Sequence, residues 1–166
     1  MEKIRGFEVV STYENNSISL PQRATKGSAG YDLSAAVDVV IPSVFKAMAS
    51  PSEHTENNPM RSTLVPTGIK AYMPGNEFLL LANRSSNPMK KQLAIPNGIG
   101  VIDADYYGNE GNEGEIFVQL INYGMEDVLV KKGERIAQGI FTPYAIVDEE
   151  EEAFETRIGG FGSSGR

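Results

Sequence analysis

The 166-residue chain carries a formal net charge of −7, with 17 Gly, 9 Pro, one His and no Cys; it is long enough for one domain with a real core and has no thiol for a disulfide, a nucleophile or a sulfur-ligated zinc. The negative balance argues against a general grip on nucleic-acid backbones, yet residues 148–152 hold five of the negative charges, so an anionic small substrate met locally by a few arginines stays open. No apolar run approaches the roughly 20 residues of a membrane span and the first residues lack a signal-peptide core, so a soluble, cytoplasmic protein with no membrane or direct nucleic-acid partner is expected.

Short apolar runs separated by Gly and Pro predict an all-β chain of about nine strands with little helix, a sandwich or jelly roll. Residues 7–20 are polar and apolar by turns and stop at Pro21, which suits an edge strand or an arm lying on a neighbour. In residues 24–36 small side chains crowd one acid, Asp32; close backbone approach would leave it partly buried and in need of donors. Residues 37–41 are β-branched and stop at Pro42, as a strand does. Residues 42–62 are rich in Ser, Pro, Asn and Glu and hold the lone His54; they exceed the loops of compact domains. One or two helical turns are expected in 43–49, and His54 reads as an exposed loop residue. The strand pattern returns at 64–72, Pro74-Gly75 fits a type II turn, and 77–82 reads as a buried strand aimed at Arg84-Ser85-Ser86.

Residues 87–93 suit a short helix before Pro96. Asn97-Gly98 is a strong signal for a type I′ hairpin turn, and it leads into Gly-Val-Ile-Asp-Ala-Asp-Tyr-Tyr-Gly at 100–108. There the apolar pair Val101-Ile102 delivers Asp103 to the end of a short strand, followed by Asp105, Tyr106 and a turning glycine. Such a stretch holds a carboxylate beside an aromatic ring, or is an ordinary turn with solvated acids. The tandem Asn-Glu-Gly of residues 109–114 is too short for a repeat architecture. Residues 116–121, 128–130, 135–141 and 144–147 complete the strands, with a turn at Lys132-Gly133. The acidic residues 148–152 read as a solvated linker. Residues 157–166, Arg-Ile-Gly-Gly-Phe-Gly-Ser-Ser-Gly-Arg, have the composition of a flexible tail.

Five separated stretches now stand in one order: Ala29-Gly-Tyr-Asp-Leu, Arg84-Ser-Ser, Gly100-Val-Ile-Asp-Ala-Asp-Tyr, Arg135-Ile-Ala-Gln and Gly159-Gly-Phe-Gly-Ser-Ser-Gly. Together they closely resemble the five motifs of the homotrimeric dUTP pyrophosphatases (dUTPases), over residues 24–165. The resemblance implies that family's all-β jelly roll in residues 1–147, with inserted loops at 42–62 and 109–114, then an acidic linker and Gly-rich lid tail in 148–166. It also implies hydrolysis of dUTP to dUMP and pyrophosphate, which limits uracil in DNA and supplies dUMP for thymidylate synthesis.

Carried over by residue, the resemblance makes Asp103 the group that orients and deprotonates a water for in-line attack on the α-phosphorus, with Asp105 more structural. Tyr106 would lie under the deoxyribose and leave no room for a 2′-hydroxyl. Asn97 and backbone groups from Gly98 to Val101 would read the uracil edge, so that cytosine leaves polar groups unpaired and the thymine methyl has no space. Arg84, Ser85 and Ser86 would hold the phosphate chain, and Gln138 would donate to the α-phosphate. Asp32 would bond waters around Mg²⁺, an ion held by the three phosphates and water without direct protein ligands; its role would be to neutralise the triphosphate and keep it bent. In the tail, Phe161 would stack on uracil beside Gly162, while Ser163, Ser164 and Arg157 meet the terminal phosphate. Each site would be built between chains of a homotrimer, one supplying the hairpin and another the tail.

The chain departs from the family pattern in three places. Arg157 stands one place closer to Gly-Gly-Phe-Gly than usual, which leaves Arg166 as the alternative on the terminal phosphate. Residues 109–114 separate Tyr-Gly from Glu115-Ile116, which adjoin in the common pattern, and are expected to lengthen a loop. The insertion within 42–62 matches no catalytic motif and reads as a solvent loop, with contact to a protein partner as its second reading. Two other functions compete. A dCTP deaminase would share the fold and an Arg-Ser-Ser stretch, but the Asp-x-Asp-Tyr segment and the tail oppose it and no glutamate is placed for deamination. A non-catalytic, nucleotide-dependent regulator on the same scaffold is opposed by the intact motifs.

Overall fold

Residues Phe117–Asn122 bury every second side chain, and Val118 and Leu120 are wholly inaccessible; a period of two is what sends one face of a strand into a core. The computed structural model describes residues 3–49 and 62–149 and contains twelve strands among them: β1 (Gly6–Val9), β2 (Gln22–Arg23), β3 (Tyr31–Ser34), β4 (Val39–Ile41), β5 (Thr63–Pro66), β6 (Ile69–Tyr72), β7 (Glu77–Ala82), β8 (Leu93–Ala94), β9 (Ile99–Asp103), β10 (Phe117–Asn122), β11 (Val128–Val130) and β12 (Arg135–Pro143). A single α-helix, α1 (Val44–Ala49), falls where helical turns were expected. No helix among the described residues is long and apolar enough to cross a membrane.

The strands form an antiparallel five-stranded sheet in the order β2-β3-β12-β7-β9, a three-stranded sheet β5-β10-β8, and the pairs β1-β6 and β4-β11. Leu33, Leu79, Leu81 and Ile136 from the first meet Val65, Leu93, Val118 and Leu120 from the second, and Ile41, Val130 and Ala71 join them from the pairs. All four sheets therefore share one core, the arrangement of a jelly-roll-like sandwich.

Four local expectations need correction. The run 64–72 is two strands, β5 and β6, separated at Thr67-Gly68. At Pro74-Gly75 the turn is not type II: Glu77 N donates to Pro74 O (3.0 Å), so proline opens the turn at its first position, and Gly75 stays out of the left-handed region. At Asn97-Gly98 the turn is closed by Gly98 N to Ile95 O (3.0 Å), with Pro96 and Asn97 at its centre. Proline fixes φ near −65° there, which rules out the positive φ of a type I′ turn, and only Gly98 is left-handed (φ 80°). The flanking strands do not pair with each other; β8 pairs with β10 and β9 with β7, so this turn passes the chain from one sheet to the other. Finally, residues 144–147 form no strand. Pro143 pairs with Glu77, the first residue of β7, so the ladder has run out of partner; Ile146 and Val147 are exposed.

Candidate active site

The strand β7 is the axis of the site, paired with β12 on one side and β9 on the other. Beyond Ala82 the chain turns through Asn83, Arg84, Ser85 and Ser86. Arg84 Nε donates to Asp32 Oδ1 at 2.8 Å, and Arg135 Nη1 donates to Asp32 Oδ2 at 3.1 Å. Asp32 is thus the partly buried acid expected from its small neighbours, and its donors come from the second and fourth motifs. Two guanidinium groups on one carboxylate leave an excess of positive charge at this end of the sheet, open to an anion.

Arg135 opens the fourth motif but was given no role of its own in the sequence. A register shift between Arg135 and Ala137 inserts an extra residue opposite Ser34 and Leu33, and a bulge of this kind re-aims the side chain before it. Gln138 then stands directly across from Asp32. Its Nε2 donates to Asn83 O (3.0 Å), and an amide nitrogen carries a second hydrogen for another acceptor. Gly30 makes room for it: a Cβ there would collide with Gln138 Oε1.

Three residues unnoticed in the sequence hold the loop after β7. Asn83 Oδ1 accepts from Ile95 N (2.9 Å), and the buried Asn87 donates from Nδ2 to Ile136 O (2.6 Å). Lys91 pairs with Glu134, and burial first, then the nearby Arg84 charge, push its ammonium below the usual lysine range. Ser86 Oγ accepts from Arg84 Nη1 at 3.4 Å, while Ser85 is exposed.

Asp103 ends β9, as its sequence position suggested, and a 3-10 turn over Ala104–Tyr106 follows at once. The register places Asp103 opposite Phe78, whereas Ile99 stands opposite Ala82, the residue after which the Arg84 loop begins. Four residues of strand separate the two ends, about 13 Å at about 3.3 Å per residue. Within one chain, then, Asp32, Arg84, Arg135 and Gln138 gather at one end of β7 and Asp103 lies at the other. Asn97 and Gly98 are exposed near the Arg84 end, and Val101 lies on the outer face of β9 with Ile99, both about half-exposed, at the edge of the sheet. Tyr106 is buried to 4% exposure and its hydroxyl donates to Glu115 O at 2.9 Å, which leaves little of the residue open to a sugar.

Arg157, Phe161, Gly162, Ser163, Ser164 and Arg166, like His54, lie outside the described residues. Among the described residues no group of three His, Asp or Glu side chains stands together as a metal-ligand set.

A family model described as dUTPase matches residues 16–165. The chain is 46% identical over 164 residues to the deoxyuridine 5′-triphosphate nucleotidohydrolase of Lactococcus lactis subsp. lactis, covering 98% of this chain and 99% of that protein. The crystal structure of dUTPase from Streptococcus mutans is similar at TM-score 0.73 and 42% identity, over 86% of this chain and 98% of that one. A mutant dUTPase from phage phi11 of S. aureus, whose structure reveals the coordination of a structural Mg(II) ion, shares the fold at TM-score 0.64 and 20% identity, over 92% and 99% of the two chains. With five motifs in order along its sequence, a jelly roll in its described residues and relatives of such identity along nearly its whole length, the chain belongs to the dUTPase family, the enzymes that hydrolyse dUTP to dUMP.

Proposed function

We propose that the dUTP hydrolysis of this family proceeds here by a water that Asp103 directs at the α-phosphorus, in sites completed between the chains of a homotrimer. The observation that carries this reading is the separation across β7: Asp103 stands opposite Phe78, and the arginine end lies beyond Ala82. That offset of about 13 Å along the strand favours a closed ring of identical chains, which can set the Asp103 of one beside the Arg84 of the next.

In that arrangement the Asp103 carboxylate takes a proton from the water as its oxygen bonds to the α-phosphorus. The bond from that phosphorus to the bridging oxygen breaks, and pyrophosphate leaves. Arg84, already turned toward this end by Asp32, meets the phosphates with its guanidinium fork, and Ser85 and Ser86 add donors. Gln138 gives its remaining amide hydrogen to the α-phosphate. Asn97, Gly98 and the backbone as far as Val101 read uracil, and Tyr106 lies beneath the deoxyribose. The tail closes over the base through Phe161 and Gly162, with Ser163, Ser164 and Arg157 on the terminal phosphate; Arg166 is the alternative to Arg157.

Asp32 also fits Mg²⁺ as a partner of its hydration shell. A carboxylate offers about four lone-pair sites, the two arginines use one on each oxygen, and the remainder can accept from metal-bound water. When bound, Mg²⁺ supplies charge neutralisation of the triphosphate. We place the enzyme in the cytoplasm, removing dUTP before it enters DNA and supplying dUMP for thymidylate synthesis. For residues 42–62, a protein contact is the second reading beside a plain solvent loop and rests on length alone; residues 50–61 lie outside the described residues.

Pyrophosphate release from dUTP, dCTP, dTTP and UTP, with and without Mg²⁺, tests the proposal. The wild type is expected to prefer dUTP by about 10³-fold or more, and Asp103→Asn to lower kcat by about 10²- to 10⁴-fold. Ammonia from dCTP would assign the chain to deamination, and full turnover by Asp103→Asn would reject the role of Asp103.

A further inference from the structure

Residues 109–114 interrupt the motif that ends at Gly108, and a plain loop extension would turn their polar groups to water. They do the opposite. Asn109 is 8% exposed; its Nδ2 donates to Tyr106 O (2.9 Å) and Asn112 Oδ1 (2.8 Å), and its Oδ1 accepts from Gly111 N (2.9 Å) and Asn112 N (3.1 Å). Asn112 Oδ1 accepts from Gly114 N (3.0 Å), and Asn112 Nδ2 donates to the Tyr106 hydroxyl at 2.8 Å. Gly114 sits at φ 85° with its absent Cβ only 2.5 Å from Tyr106 O, so the turn closes only with glycine there. Between them, Glu113 accepts from Ser11 Oγ and from Lys70 Nζ (3.1 Å), which fastens the insert to β6 and to the turn after β1.

A tyrosine hydroxyl has one hydrogen to give and two lone pairs to receive with. Here the hydrogen goes to Glu115 O and a lone pair takes the Asn112 amide, so the ring is tied at its far end while its backbone carbonyl is tied by Asn109. We infer that Asn112 is a positioning residue for substrate selection: by holding the Tyr106 hydroxyl it sets how the ring stands beneath the sugar, and so how strictly a ribose is refused. This rests on the proposed place of Tyr106 under the deoxyribose. It gives the insert a function that loop lengthening does not.

Asn112→Asp keeps the acceptor for Gly114 N and Asn109 and replaces the donor to Tyr106 by an acceptor, which competes with Glu115 O for the hydroxyl hydrogen. The experiment measures kcat/KM for dUTP and for UTP, with thermal melting, in Asn112→Asp, Asn112→Gln, Tyr106→Phe, the double variant Asn112→Asp/Tyr106→Phe, and Tyr106→Leu. The dUTP-to-UTP preference is expected to fall by about tenfold in Asn112→Asp and in Tyr106→Phe, and by no more than about twofold further when the two are combined. Asn112→Gln, which keeps a donor, should restore part of the preference and covers the case in which Asn112→Asp does not fold. An unchanged preference in Asn112→Asp, with a fall in Tyr106→Leu, would overturn the inference and leave Tyr106 in place. An unchanged preference in all of them would instead remove Tyr106 from the sugar site. Losses that multiply in the double variant would show that Asn112 acts elsewhere.

Discussion

Glu115 follows the inserted turn directly and is buried; burial pushes its carboxyl above the usual carboxylate range, and the hydrogen bond from Gly68 N to its Oε1 (3.1 Å) only partly offsets that. A carboxyl with a raised pKa in the fold holds its proton longer than the unfolded chain does. The neutral form is therefore favoured, and stability is lost as pH rises through the folded value. Glu115→Gln keeps the acceptor for Gly68 and carries no charge. It should melt about 2–4 °C above wild type at pH 8, the shift that about 1 kcal/mol gives in a chain of this size, with the gap closing as pH falls toward 4. A gap independent of pH would mean that the benefit is not electrostatic. At this scale the sequence was informative wherever neighbours were small: crowding around Asp32 announced a buried acid in need of donors, and Arg84 and Arg135 supply them. It named Arg135 only as the first residue of the fourth motif, because the bulge beside it has no composition signal.

The helix α1 shows how an element is held by the residue that precedes it. Ser43 is fully buried; its Oγ accepts from Lys46 N (3.1 Å), as an N-cap does, and donates to Gly124 O (2.6 Å). Asp127 accepts from Ser43 N (2.9 Å) and from Lys46 Nζ (3.2 Å), and these bonds hold its carboxyl below the usual range. Ser43→Ala removes the cap and leaves the Gly124 carbonyl without its donor. A loss of about 1–2 kcal/mol is expected in urea unfolding; a change near zero would show that α1 contributes nothing to the stability of β4 and β11. Elements of this kind were legible from their punctuation, Pro42 ending one strand and Ser43 opening a helix. The Asn97-Gly98 turn was misread because Pro96, one place earlier, decides the backbone before glycine can. Residues 144–147 have strand composition, but a strand also needs a partner, and β7 begins too late in the chain to offer one.

For the whole molecule, the order of five motifs was enough to anticipate family and fold. That Asp103 and Arg84 stand at opposite ends of β7 was not legible, because their separation depends on the register of β7 with β9, which spacing along the chain does not specify. The division is open to a mixing experiment. Arg84→Ala and Asp103→Asn chains, each inactive, are dissociated together and reassembled; about a quarter of the sites in a randomly mixed closed trimer would then pair an intact Arg84 with an intact Asp103 from the neighbour. Activity near that fraction supports shared sites, and none after proven exchange would place each site within one chain. Asp103→Asn mixed with a chain ending before residue 148 examines the tail in the same way.

The bond network around Asp32 also bears on how cheaply a nucleotide would be received at the proposed site. Asp32 keeps two long cationic side chains from wandering into solvent, and in the proposed site it goes on holding them. Fixing a side chain of that length at the moment of binding costs about 0.5–1.5 kcal/mol, and Arg84 has already met that cost in the resting chain. Under that proposal an arriving phosphate meets the guanidinium N–H groups that Asp32 leaves unused, on a hand that is already extended.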